Sequence, residues 1–197
     1  MNRDGARVVR IFWPYMIVGQ TELADVLLVD PQVHEDDRGW FLESWNRKDF
    51  LRATGIEASF VQHNHSRSVK SVLRGLHYQL RQPQAKLVRV TAGAVFDVAV
   101  DVRRTSPTFG KWFGAELSEH NRHQLWIPQG CAHGFLVLSD YADVLYQTTD
   151  YYAAEWDRSI RWDDPDIGID WPIGDGEPVL SPKDAGAPYL SQVDTFD

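Results

Sequence analysis

The sequence of 197 residues has a formal net charge of −8 at pH 7 and contains a single cysteine, Cys131. This length is enough for one domain with a hydrophobic core. The negative charge argues against a nucleic-acid partner, because phosphate binding requires a basic surface. One cysteine rules out an intrachain disulfide and fits a reducing compartment, so we expect a cytoplasmic protein. No apolar run approaches the ~20 residues of a transmembrane helix, and no membrane association is expected.

Short strands separated by turn signals run along most of the chain. The clearest strand is 95–103, in which Phe96, Val98, Val100 and Val102 alternate with polar or small residues, the period-two pattern of β-structure. One short helix is predicted at 47–54, ended by Gly55. The tail from Asp163 is rich in Pro, Gly and Asp and is predicted to be irregular. In chain order, the predicted strands are 26–29, 40–45, 60–65, 72–80, 87–90, 95–103, 112–117, 124–127, 134–138 and 144–149.

Many short strands with turns about every ten residues indicate an all-β sandwich or barrel. Seven histidines raise the question of a metal site in it. The segment Pro128-Gln129-Gly130-Cys131-Ala132-His133 is similar to the second half of the metal motif of cupins, which are small β-barrels. Its first half would need His-x-His, but His77 is followed at i+2 by Gln79. Two histidines on separate strands are too few ligands for a closed site, so no metal is predicted.

His77 then becomes a candidate general base in the segment Arg74-Gly75-Leu76-His77-Tyr78-Gln79. An ordinary histidine pKa of ~6.5 suits acid–base catalysis near neutral pH. The alternative is a core histidine bonded to a backbone carbonyl. Lys86, His133 and Tyr146, on other predicted strands of the same barrel, favour the functional interpretation.

Whether Arg74 can line the same pocket as His77 depends on the geometry of the strand. Strict alternation places its side chain on the opposite face of the strand from His77. The two line one pocket only if Gly75 marks a bulge, or if Arg74 lies at the mouth of the strand.

Long motifs carry a resemblance to a known family over roughly residues 16–190. They are Asp37-Arg38-Gly39-x-Phe41-x-Glu43, Phe60-Val61-Gln62-x-Asn64-His65-Ser66, Val72-Leu73-Arg74-Gly75-Leu76-His77-Tyr78-Gln79, Lys86-Leu87-Val88-Arg89-Val90, Phe96-Asp97-Val98-Ala99-Val100-Asp101, Ser106-Pro107-Thr108-Phe109-Gly110, Leu125-Trp126-Ile127-Pro128-x-Gly130-x-Ala132-His133-Gly134-Phe135 and Ile169-Asp170-Trp171-Pro172. On these motifs the chain resembles the dTDP-4-dehydrorhamnose 3,5-epimerase family, a metal-independent branch of the cupins.

The resemblance implies an all-β cupin-type barrel (jelly roll) with a few short helices and an irregular C-terminal tail. Residues 16–197 would form the single domain, with residues 1–15 as an extension outside the fold. The implied reaction is epimerisation at both carbons flanking the 4-ketone of dTDP-4-dehydro-6-deoxy-D-glucose. Its product, dTDP-4-dehydro-L-rhamnose, leads to dTDP-L-rhamnose. The family uses no cofactor and forms homodimers.

The resemblance also implies roles for residues. His77 matches the catalytic base, Asp184 the carboxylate that orients it, Lys86 the cation beside the developing oxyanion, and Tyr146 the acid on the opposite face of the sugar. His63 stands where relatives usually have Asp, and Asp157 where many have Glu. The implied substrate contacts are Arg38, Glu43, Gln62, His63, Asn64, Arg74, His133, Tyr152 (the aromatic that stacks on thymine), Asp157 and Lys183.

Three alternatives stay open at this point. One is an epimerase that acts at only one of the two carbons, from an antibiotic-sugar pathway. Another is a non-catalytic cupin that binds nucleotide sugars, although a binder has no need of an opposed acid and base. The third is a metal-dependent cupin oxygenase or isomerase.

Overall fold

The computed structural model describes residues 9–13, 16–174 and 176–197, which form two large antiparallel sheets and a hairpin. The seven-stranded sheet has the order β1-β2-β3-β11-β8-β13-β6, and the five-stranded sheet has the order β10-β9-β12-β7-β14. The strands are β1 (Val9–Trp13), β2 (Met16–Gln20), β3 (Leu27–Pro31), β4 (Val33–Asp36), β5 (Gly39–Leu42), β6 (Gln62–Val69), β7 (Leu73–Gln79), β8 (Lys86–Ala92), β9 (Ala94–Asp101), β10 (Trp112–Ser118), β11 (Gln124–Ile127), β12 (Cys131–Val137), β13 (Tyr141–Thr148) and β14 (Asp157–Ser159).

The main core lies between the two sheets. Val88 and Val144 of the larger sheet share one buried cluster with Ala99 and Phe135 of the smaller one. This packing of two antiparallel sheets confirms the predicted all-β, cupin-type jelly roll.

Two further clusters cover the outer faces. On the larger sheet, Phe50 of helix α1 (Arg47–Thr54) packs with Leu87 and Trp126. On the smaller sheet, the tail packs Trp171 and Leu190 against the apolar side of β9 and β12. The tail is therefore part of the fold, and it returns to the cleft as helix α2 (Pro182–Ala185).

Helix α1 has the predicted bounds because both of its ends are capped. The Asn46 side chain accepts hydrogen bonds from the backbone N–H groups of Lys48 and Asp49. Gly55 ends the helix in the left-handed region at φ 74°, and its N–H donates to the Leu51 carbonyl. Among the residues that the structure describes, the helices are too short and too polar to span a bilayer.

All predicted strands correspond to observed ones, but β1, β2, β4 and β14 were not predicted. The segment 1–15 needs a correction: Val9–Trp13 pairs with β2 and forms the edge of the larger sheet. Residues 9–13 therefore belong to the sheet and not to an extension outside the fold. The rest of that segment, residues 1–8, 14 and 15, lies outside the described residues.

Candidate active site

A cleft of about 630 Å³ is lined by strands of both sheets, by the segment after β13 and by the tail around α2. The five-stranded sheet contributes β7 and β12, and the seven-stranded sheet contributes β6, β8 and β13. Most of the side chains that were predicted from the sequence to form the site line this cleft. They are Asn64, Arg74, His77, Lys86, His133, Tyr146, Tyr152, Asp157, Lys183 and Asp184.

A bulge at Gly75 brings Arg74 and His77 into the same cleft. The register pairs His77 with His133, but it pairs Arg74 with Phe135, so β7 has one residue more than β12 between these pairs. Gly75 has φ 138°, and a Cβ placed there would lie 2.5 Å from the Cα of Gly134. Only glycine fits this position. The bulge that Arg74 needs in order to line the same pocket as His77 is therefore present.

His77 is paired with a carboxylate from the tail. Its Nε2 lies 2.6 Å from Oδ1 of Asp184, whose Oδ2 accepts from the Ser181 hydroxyl at 2.8 Å. Burial alone raises the pKa of Asp184, but the hydrogen bond and charge of His77, with Ser181 and Lys183, outweigh it and hold this pKa below its ordinary value. An ionised Asp184 accepts the Nε2–H of His77, which leaves the Nδ1 lone pair to accept a proton.

Lys86 and Tyr146 reach the cleft from the larger sheet. Lys86 is buried, and its Nζ donates to the His77 carbonyl at 3.4 Å. Burial lowers the pKa of Lys86 to about 8, although the charges of Asp97 and Asp157 oppose that shift. Burial also raises the pKa of Tyr146, so its hydroxyl keeps its proton at neutral pH.

A second His–Asp pair lies directly beside the first. His133 Nε2 is 2.8 Å from Oδ1 of Asp97, and both side chains are buried. Burial lowers the pKa of His133, against the opposing charge of Asp97. Asp97 occurs in one of the sequence motifs, but no role was predicted for it. The available signal was its place among the apolar residues of strand β9, where a buried carboxylate needs a partner.

The outer rim of the cleft is a linked group of three side chains. Asp157 Oδ2 accepts hydrogen bonds from the Tyr152 hydroxyl, at 3.2 Å, and from the Lys183 ammonium. Elsewhere in the cleft, the Nε of the exposed Arg74 donates to the hydroxyl of buried Ser68 at 2.9 Å. Ser68 and Ser181 were also missed, because a serine carries little sequence signal until its partner is known.

Four nominated residues do not line this cleft in the described chain. Arg38 lies in the turn between β4 and β5, with its side chain 90% exposed and bonded to Asp36. Glu43 is exposed and accepts from the Asn46 amide at 3.2 Å.

The other two residues, Gln62 and His63, lie at or beyond the edge of the cleft. Gln62 binds the backbone N–H of Tyr152 through Oε1 at 3.0 Å, and the Asn64 side chain through Nε2. His63, one residue along β6, lies against Gln147 on the other face of the strand. Within the described ranges 9–13, 16–174 and 176–197, no three His, Cys, Asp or Glu side chains converge so as to hold a metal ion.

The fold and the cleft together define a cupin-type enzyme whose site is suited to acid–base chemistry. The family model of dTDP-4-dehydrorhamnose 3,5-epimerase matches residues 20–192, and the chain belongs to this family, as its motifs predicted.

Individual relatives agree with this assignment. The dTDP-4-dehydrorhamnose 3,5-epimerase of Pseudomonas aeruginosa is 57% identical over 174 residues, which cover 88% of this chain and 96% of the relative. The structure of dTDP-6-deoxy-D-glucose-3,5-epimerase from Legionella pneumophila, in complex with dTDP-4-keto-L-rhamnose, is 51% identical with a TM-score of 0.89 and covers 91% of this chain and 95% of that one. ChmJ, a 3'-monoepimerase from Streptomyces bikiniensis in complex with dTDP-quinovose, is 36% identical with a TM-score of 0.79, and 84% of each chain is covered.

Proposed function

We propose that the protein inverts both carbons flanking the 4-ketone of dTDP-4-dehydro-6-deoxy-D-glucose and releases dTDP-4-dehydro-L-rhamnose, a step of dTDP-L-rhamnose biosynthesis. The observation that carries the proposal is that a histidine and a tyrosine extend into one cleft from two different sheets. His77 belongs to the five-stranded sheet and Tyr146 to the seven-stranded sheet. Inversion requires proton removal on one face of the sugar and proton delivery on the other, and groups on opposed walls suit that requirement.

In this mechanism Nδ1 of His77 removes the proton next to the ketone. The support is its bond to Asp184, which sets the tautomer and stabilises the imidazolium that forms. Tyr146, which burial keeps protonated, then delivers a proton from the opposite face. Once His77 has lost its proton to solvent and Tyr146 has regained one, the same pair serves the second carbon.

Lys86 stabilises the enolate oxygen formed when the proton leaves. A carbon acid next to a ketone is weak, and preorganised positive charge at the oxyanion is often the largest single catalytic contribution. With a pKa of about 8, Lys86 is predominantly charged at neutral pH even though it is buried. His133 lies beside it, and because burial lowers its pKa, its ring adds no second cation next to Lys86.

The nucleotide occupies the outer part of the cleft. Arg74 and Lys183 supply cations suited to a pyrophosphate. Tyr152 supplies an exposed aromatic face for thymine, and Asn64 and Asp157 provide polar contacts around it.

We also infer a cytoplasmic homodimer. The hairpin of β4 and β5 exposes Trp40 and Phe41 at 58% and 66%, which is unfavourable unless another surface covers them. The same hairpin carries Arg38, with Glu43 just beyond it, so contacts of these two residues with substrate require a second subunit. The cytoplasmic location rests on the single cysteine.

The decisive experiment is turnover in deuterated water, followed by NMR of the sugar. We expect deuterium at both carbons flanking the ketone and a product that a dTDP-4-dehydrorhamnose reductase accepts. Stable label at one carbon alone would identify a single-site epimerase of the ChmJ kind. Absence of any exchange, with dTDP still bound, would identify a non-catalytic binder, and loss of turnover upon exhaustive chelation would identify a metal-dependent enzyme.

A further inference from the structure

The segment that carries Tyr152 is held mainly by glutamine side chains. It follows the end of β13 at Thr148, and three amides bind the main chain of residues 150–153. Gln84 donates to the Asp150 carbonyl at 2.8 Å. Gln79 donates to the Tyr151 carbonyl at 3.1 Å and accepts from the Ala153 N–H at 2.8 Å, and Gln62 accepts from the Tyr152 N–H at 3.0 Å.

Gln79 is central among these amides because it binds the main chain on both sides of Tyr152. It is only 4% exposed, and its Nε2 also donates to the Gln82 carbonyl at 2.8 Å. A glutamine amide can donate and accept at once, which this arrangement requires. The backbone of Gln79 pairs with that of Asp157, whose carboxylate binds the Tyr152 hydroxyl. The main chain on both sides of Tyr152 is thus held by the Gln79 side chain. The Tyr152 hydroxyl is held by Asp157, the residue that pairs with Gln79 across strands β7 and β14.

We infer that Gln79 is a positioning residue for the nucleotide base: it fixes the height and tilt of the Tyr152 ring at the outer end of the cleft. The inference rests on the proposed function, because it takes a dTDP group as the ligand. It assigns a role to the side chain two residues after His77, where a metal-binding cupin would carry its second histidine. In this chain that position serves the nucleotide instead.

The test is Gln79→Met, which keeps the length of the side chain and removes its donor and acceptor. Because base–aromatic stacking weakens when the ring is no longer held in place, we expect dTDP to bind about tenfold more weakly by calorimetry. KM should rise by a similar factor, while kcat and the binding of inorganic pyrophosphate stay near wild type. Equal dTDP affinity in wild type and Gln79→Met would overturn the inference.

Asn121→Leu is the matched control. Its amide also binds main chain as donor and acceptor, through the Glu116 carbonyl at 2.8 Å and the Ser118 N–H at 3.0 Å, but in the turn between β10 and β11, away from the cleft. We expect it to lower the melting temperature without changing dTDP affinity. If it weakens dTDP as much as Gln79→Met does, the effect is general destabilisation and the inference fails.

A double-mutant cycle with Tyr152→Ala shows whether Gln79 acts through that ring. If it does, Gln79→Met has no further effect on dTDP affinity in the Tyr152→Ala background, whereas additive losses contradict the inference.

Should Gln79→Met fail to fold, Gln79→Glu serves instead. Its carboxylate repels the Tyr151 and Gln82 carbonyls, but once protonated it can donate a hydrogen bond to one of them. The dTDP affinity of Gln79→Glu relative to wild type should therefore recover as the pH falls, and a constant ratio would count against the proposed contacts. The proposed function fails separately, if the wild-type protein itself neither binds dTDP nor exchanges protons of the sugar.

Discussion

The two neighbouring His–Asp pairs of the cleft use the same residue types in different surroundings. The His77 side chain is 32% exposed, and its carboxylate comes from the tail. His133 is 7% exposed, and Asp97 is fully buried, with an Oδ2 that has no hydrogen-bond partner among the described residues. His77 can exchange protons with a ligand in the cleft. His133 is held neutral, because burial lowers its pKa.

The difference indicates that burial, and not the pairing itself, is what favours His77 over His133 as the proposed base. A general base must carry a charge in mid-reaction, and desolvation makes that charge costly at His133. A neutral imidazole near Lys86, by contrast, places no second positive charge beside that ammonium group. The Asp97 carboxylate favours the charged form of Lys86. In the proposed mechanism, the His133–Asp97 pair therefore acts on the charge of Lys86, and the His77–Asp184 pair acts on the transfer of the proton.

His77→Ala gives the largest expected effect. A general base typically contributes about 10²–10⁴-fold, and we expect kcat to fall toward the upper end of that range. dTDP affinity should stay within a few-fold of wild type, because the variant leaves the nucleotide end of the cleft intact. Stopped assays and calorimetry measure the two quantities. An active His77→Ala enzyme would show that another group is the base.

Tyr146→Phe should separate proton exchange from inversion. The base can still remove a proton and return it to the same face, so exchange in deuterated water should survive. Net inversion should fall by about 10²-fold, because the opposite face has lost its acid. NMR of a single sample gives the rates of exchange and of inversion, because it detects both the deuterium in the sugar and the inverted product. Equal loss of the two would argue against Tyr146 as the opposite-face acid.

Asp184→Asn and Asp97→Asn test the comparison directly. An asparagine at 184 can donate to His77 Nε2 and so favour the tautomer whose Nδ1 is already protonated, and kcat should fall by about 10²-fold at every pH. Ser181→Ala, which removes one bond to the same carboxylate, is the mild control. If Asp97→Asn instead caused the larger, pH-independent loss, the assignment of the two pairs would be reversed.

The smallest expected effect is a shift of the alkaline limb of activity. The wild-type rate should decline as pH rises through about 8, where Lys86 loses its proton and the oxyanion its countercharge. The negative charge of Asp97 raises the pKa of Lys86, so Asp97→Asn should move this limb to lower pH. The pH profile of kcat measures the shift. An unmoved limb in Asp97→Asn would mean that Lys86 does not set it.

Much of this cleft was predictable from the motifs, because its residues occur in long specific stretches. His77 and Tyr146 lie on predicted strands and Lys86 directly before one, and all three enter the cleft. Asp184 follows His77 by 107 residues, and no spacing rule connects two such positions. The motif match nominated it, and the packing of the tail brings it within hydrogen-bonding distance.

The features that the sequence did not predict depend on long-range contacts. Residues 9–13 looked like an extension, because their own pattern does not show that β2 offers an edge to pair with. Gln62 stays a predicted substrate contact, but its bond through Oε1 to the Tyr152 backbone was not predicted. From the sequence, Gln79 indicated only that the second histidine of a metal-binding cupin is absent, because a glutamine does not reveal which main chain it will bind.

The sequence by itself determined the all-β class, the capped helix α1, the family and most of the side chains of the cleft, because periodicity, capping and motifs are local properties. Only the tertiary structure decided which histidine stays accessible, how the bulge at Gly75 turns Arg74 inward, and which amides hold Tyr152. These outcomes depend on burial and on hydrogen bonds between residues far apart in the chain, and neither is encoded in any single stretch.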